Sequence, residues 1–95
     1  MRTIWKFKLE VEDQQVIKMP TGANILCLQM QKNVPCIWAQ VNDSLNTPTD
    51  ERTFLTIGTG NPFPEGIPTG HFRYIGTYQL SAGRLVFHVY ELLTD

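Results

Sequence analysis

Apolar and polar residues alternate along this chain with a period of two, and that alternation restricts the fold more than any other feature. The stretch "TIWKFKLEV" sets Trp5, Phe7, Leu9 and Val11 on one side and Lys6, Lys8 and Glu10 on the other. Successive side chains of a strand point to opposite faces, so this is the pattern of a half-buried strand. "NILCLQMQ" repeats it, with Leu26, Leu28 and Met30 together. "CIWAQVN" places Ile37, Ala39 and Val41 on one face and Cys36 and Trp38 on the other, as a strand inside a sheet would. "RLVFHVYELL" is apolar on both faces too and is expected mid-sheet.

The breaks between these runs carry turn chemistry. "MPTGA" reads as a turn with Pro20 at its first central position and Gly22 closing it. Lys32-Asn33 is a two-residue hairpin candidate that would set Gln29 opposite Cys36 and Cys27 opposite Trp38. "SAG" joins "FRYIGTYQL" to the last run, while "DSLNTPTDE" is a loop before a strand "RTFLTIGT". No window shows a 3.6-residue period. The expected fold is all-β: one domain over residues 1–95, an antiparallel β-sandwich or partly open barrel of about seven strands. Trp5 and Trp38, both in strands, are expected in its core.

Composition narrows the partners. The 95 residues are 42% hydrophobic with a net charge of −1, which suits one soluble domain and a modest core. A homo-oligomer would add buried area. Lys and Arg are dispersed along the chain, so no nucleic acid is expected. No run is long and apolar enough for a membrane helix, and "MRTIWKFKLEVED" lacks the apolar core of a signal peptide, which implies a cytoplasmic protein. Cys27 and Cys36 are expected as thiols, diagonal to each other across the hairpin and too far apart to bridge.

Most chemistry gathers around "FLTIGTGNPFPEGIPTGHFRYIGTY". Its loop from Gly60 to His71 matches no phosphate-loop pattern, and Pro62, Pro64 and Pro68 offer no N–H donors. One reading makes it a stiff connector, with Gly58 and Gly76 as bulges or points of close approach in strands. The other makes its rim a ligand site. There Thr59 and Asn61 supply hydrogen bonds, Phe63 an apolar plate, and His71, Arg73 and Tyr74 a cation and stacking surfaces. Such a rim suits a small anionic or nucleotide ligand, or a host protein. Cys27, Cys36, His71 and His88 lack metal-ligand spacing, so no metal or cofactor is expected, and His88 reads as a core histidine bonded to a backbone group or a tyrosine. Ser44 and Ser81 sit outside any nucleophile motif, so no catalytic residue is assigned.

The segments "TIWKF", "MPTGANILCLQMQ", "PCIWAQV", "RTFLTIGTGNPFP", "YIGTYQL" and "LVFHVYEL" together resemble a family of small uncharacterised proteins encoded by bacteriophages and prophages. That resemblance spans nearly the whole chain. It implies a phage product acting in the cytoplasm of the infected host, or in a virion. The expected function is a non-enzymatic accessory protein that binds a host component: a counter-defence protein sequestering a nucleotide immune signal or a defence protein. A virion structural or assembly module is the alternative, and a small hydrolase the third reading.

Overall fold

A computed structural model of the chain describes residues 1–66 and 69–93. Among them, seven strands follow in order: β1 (Arg2–Lys8), β2 (Gln14–Pro20), β3 (Asn24–Gln31), β4 (Val34–Asn42), β5 (Thr49–Gly58), β6 (Phe72–Leu80) and β7 (Leu85–Leu92). A 3₁₀ turn, Thr69–His71, leads into β6. One sheet, A, has the order β1-β4-β3; the other, B, has the order β2-β5-β7-β6. Every pairing is antiparallel. The all-β expectation of about seven strands therefore holds, as two packed sheets that do not close into a barrel. β4 and β7 take the interior positions that their two-sided apolar patterns imply.

Turn chemistry sets the registers. Lys32 and Asn33 both have positive φ, 49° and 66°, as a two-residue hairpin turn requires. The resulting register pairs Gln29 with Cys36 and Cys27 with Trp38, and both cysteines are free. Ser81, Ala82 and Gly83 turn β6 into β7 with φ of 55°, 57° and 86°. In the turn after β2, Ala23 N–H donates to the Pro20 carbonyl at 3.0 Å and Gly22 has φ 81°. Pro20 therefore opens that turn, and Thr21 holds the central position that the sequence suggested for Pro20. β5 also begins three residues earlier than "RTFLTIGT", because Thr49, Asp50 and Glu51 find partners in Pro20, Met19 and Lys18.

Both sheets contribute to the core, which is built on Met19, Ile37, Ala39, Phe54 and Val89, all 0% exposed. The tryptophans are not in it, contrary to expectation. Trp5 faces Ala39 on the inner side of sheet A, but β1 is an edge strand and the ring stays 42% exposed. Trp38 lies on the outer face, half-buried between Lys6 and Cys27. Alternation assigns a face; whether anything covers that face depends on the other sheet. A bulge between Ile25 and Cys27 also separates Leu26, which is exposed, from Leu28 and Met30, which pack on the core. Val11 lies in the β1–β2 turn, exposed.

The molecule is flat, with Cα extents of 42 × 34 × 16 Å. Its accessible surface is 6433 Å², against roughly 5,600 Å² for a compact monomer of this mass. Its radius of gyration is 13.9 Å, against about 12 Å for a compact chain of this length.

Two substitutions separate core from periphery. Phe54→Ala is expected to cost about 3–5 kcal/mol, and Trp5→Ala about 2 kcal/mol, read as midpoints of urea unfolding. A third tests a buried hydroxyl. Tyr78 is 3% exposed, its Oη has no hydrogen-bond partner among the described residues, and burial pushes its ionisation upward. A folded-state value above the unfolded value of about 10 means that stability is complete below that pH and is lost as pH rises beyond it. Tyr78→Phe should raise stability by about 1 kcal/mol at pH 7 and remove this part of the alkaline loss, measured by denaturation between pH 7 and 11.

Candidate functional site

The Gly/Pro loop leaves β5 through a tight turn in which Asn61 N–H donates to the Gly58 carbonyl at 2.9 Å. A Cβ on Gly58 would stand 2.8 Å from Asn61 Nδ2, so a side chain here would push the Asn61 amide aside. Thr59 N–H ties the turn to the Val86 carbonyl at 3.1 Å. At the far end, Leu93 N–H donates to the His71 carbonyl at 2.7 Å. Ile67 and Pro68 lie outside the described residues. Between these anchors the loop places Phe63 over the outer face of sheet B. Its ring centroid is 5.5 Å from that of Phe72 and 5.3 Å from that of Tyr90.

The registers arrange that outer face in rows. Leu55, Tyr90 and Tyr74 form one row across β5, β7 and β6; Thr53, Leu92 and Phe72 form the next. Tyr74 meets Tyr90 edge-on at 5.4 Å. A solvent-facing side of an antiparallel sheet ordinarily carries polar residues. Here Leu55 is 1% exposed beneath its neighbours, while Phe63 and Tyr74 remain 47% and 55% exposed.

A hydrogen-bonded chain runs beside the rings. Thr59 Oγ1 lies 2.7 Å from His88 Nε2, Thr77 Oγ1 lies 3.0 Å from His88 Nδ1, and Tyr74 Oη bonds Thr77 Oγ1. The contacts can be satisfied by protons running one way along the chain. Tyr74 O–H donates to Thr77, Thr77 O–H to Nδ1, Nε2–H to Thr59, and Thr59 O–H to the Val86 carbonyl at 3.4 Å. In this arrangement the Tyr74 oxygen keeps its lone pairs for an acceptor role at the surface. His88 is thus half-buried on an outer face between two threonine hydroxyls, which corrects its reading as a core histidine bonded to backbone or tyrosine.

Arg73 belongs to the other face. It pairs with Glu91 in register, and its Nη2 donates to Glu91 Oε1 at 2.9 Å. Arg52 reaches the same carboxylate from β5, with Nε to Oε2 at 2.5 Å and Nη2 to Oε1 at 2.9 Å. Its Nη1 donates to the Ala23 carbonyl at 2.6 Å. Two guanidiniums thus share one buried carboxylate, beside a cavity of about 720 Å³ lined by Arg52, Glu91 and Leu92 among others.

Of the residues that the sequence put forward, the fold brings Thr59, Phe63 and Tyr74 together. Asn61 serves the turn, His71 stands exposed at the loop's end, and Arg73 faces away from the aromatic rings. Sequence reading missed His88, Tyr90, Phe72 and Thr77 as their neighbours, and Arg52 with Glu91 as the partners of Arg73. A carboxylate at position 91, in step with Phe87 and Val89 on one side of a strand, was the available signal for the ion cluster.

These features define a small protein of two antiparallel sheets with an aromatic, hydrogen-bonding outer face. The chain belongs to the family described as Domain of unknown function (DUF7352), whose model matches residues 1–95. No curated protein and no solved structure matches it.

The ion cluster makes a quantitative prediction. Glu91→Gln leaves two guanidiniums, one largely buried, without their counter-charge and should cost about 3–5 kcal/mol. Arg73→Gln, at a half-exposed position, should cost less than about 1 kcal/mol. Paired urea denaturation curves measure both.

Proposed function

We propose that this chain is a non-enzymatic binding module that engages a protein partner through the outer face of sheet B. The observation that carries the reading is the aromatic patch itself. Phe63 and Tyr74 stay about half exposed although they pack on Phe72 and Tyr90. Large, rigid rings with a hydroxyl at the edge make strong interface anchors, because they bury much area for little loss of side-chain freedom.

A nucleotide ligand is less well served. Its phosphates need a cation beside the stacking rings, and Arg73 lies on the opposite face, held by Glu91. The resemblance to small phage-encoded proteins supports a reading in which the partner is a component of the bacterial host, met in its cytoplasm. A second copy of the chain is the other occupant with an observation in its favour. The accessible surface exceeds that of a compact monomer by an amount close to one side of a standard protein interface, about 800 Å².

The double variant Phe63→Ser/Tyr74→Ser tests the reading. It should weaken capture of a host protein from bacterial lysate by about a hundredfold, while the chain still folds and unfolds cooperatively at a melting temperature lowered by the lost ring packing. Loss of a homodimer in the variant, read by light scattering, would identify the occupant as a second copy. Unaltered capture and unaltered mass would overturn the proposal.

A further inference from the structure

Cations that look dispersed in the sequence are gathered by the fold. Arg2, Lys6 and Lys8 stand at alternating positions of β1 and share the outer face of sheet A. Lys32 joins them from the β3–β4 turn. Lys6, Lys8 and Lys32 converge on a cleft of about 470 Å³, lined also by Gln31, Val34 and Cys36. Cys36 is 1% exposed, sheltered on this outer face, while both lysines of β1 are exposed.

The charge in this cleft is unbalanced. Among the described residues no carboxylate lines it, and none comes within ion-pair distance of Lys6, Lys8 or Lys32. The register fills the rest of the face with neutral residues: Gln40 and Asn24 in the row of Ile4, Cys27 and Trp38 in the row of Lys6, Gln29 in the row of Lys8. One neutral acceptor, Gln31 Oε1, takes a hydrogen bond from Lys6 Nζ at 2.6 Å. Three ammonium groups facing one concavity repel one another, and a polyanion relieves that repulsion and supplies acceptors for their N–H groups.

We infer that this cleft binds the phosphate groups of a small, multiply charged ligand. Lysine suits the task as a mobile point charge with three donors, and three of them match the several oxygens of a di- or triphosphate. Trp38, half-buried in the row of Lys6 and directly across from it, lies beside the cleft rather than in its lining and would flank a group attached to those phosphates. The site lies on the other sheet from the aromatic patch and does not rest on the function proposed for that patch.

Inorganic tripolyphosphate is the probe, followed by ¹H–¹⁵N resonance shifts at low salt. Saturable shifts are expected at Lys6, Lys8, Gln31 and Lys32, with a dissociation constant that rises with added salt. Lys8→Gln and Lys32→Gln should each weaken binding about tenfold, with unchanged melting temperatures in the absence of the probe. Phe63→Ser/Tyr74→Ser should leave binding intact, which separates this site from the other. An oligothymidylate strand is the comparison arm. Tighter binding of the strand than of tripolyphosphate through the same lysines would mean that the phosphates come from nucleic acid, and would overturn the small-ligand assignment. Absence of saturable shifts, or equal shifts in the lysine variants, would overturn the site altogether.

Discussion

One extra residue in β6 determines what both faces of sheet B can do. Strict alternation would put Tyr74, Gly76 and Tyr78 on the same side. The bulge between Tyr74 and Gly76 sends Tyr74 outward to the rings and leaves Gly76 and Tyr78 facing the core. Tyr74 and Thr77, three apart in sequence, then share a face and hydrogen-bond. The same insertion slides the register. Beyond the bulge Arg73 pairs with Glu91 and Tyr74 with Tyr90; an unbroken ladder continued from Gly76–Val89 would set Tyr74 against Glu91. The buried ion cluster and the aromatic row both follow from that one-residue shift.

The bulge is also where the sheets are joined. A Cβ on Gly76 would come within 2.9 Å of the Leu28 Cβ, so glycine lets β3 approach β6 at van der Waals distance. β3 carries its own bulge next to this contact, between Ile25 and Cys27, which turns both Ile25 and Leu28 toward the core. Paired irregularities thus bring the two sheets together at one edge by side-chain packing, with no ladder pairing between β3 and β6 among the described residues.

This division explains what was legible in the sequence. Strand positions, the Lys32-Asn33 turn and the cysteine register are local consequences of period-two patterning and turn residues, and they could be read directly. Gly76 was readable as a bulge or close approach because glycine in a strand has few other uses. The consequence of that bulge was not readable, since it depends on counting register across a hairpin. Trp5 and Trp38 show a second limit. Their spacing fixed a side of the sheet, but burial required knowing that β1 is an edge strand and that, among the described residues, no layer covers the outer face of sheet A. Arg73 and Tyr74, adjacent on a strand, had to face opposite ways by elementary geometry. Only a loop-centred view placed them in one site.

Charge follows the same architecture. The net charge of −1 hides an uneven distribution. Of the eight Lys and Arg residues, Arg2, Lys6, Lys8 and Lys32 lie around sheet A, whereas on sheet B Arg52 and Arg73 are held by Glu91 and Lys18 and Arg84 stand apart, on β2 and in the β6–β7 turn. Such a field draws anions toward one face. In physiological salt it decays over about 8 Å, and the molecule is 16 Å thick between its outermost Cα atoms. The aromatic face therefore lies beyond the reach of the lysines through solvent, and binding proposed there would rest on ring burial and the orientation of the Tyr74 hydroxyl. The two proposed occupants, a phosphate-bearing ligand on sheet A and a protein on sheet B, would therefore not compete, each being held by a different physical term.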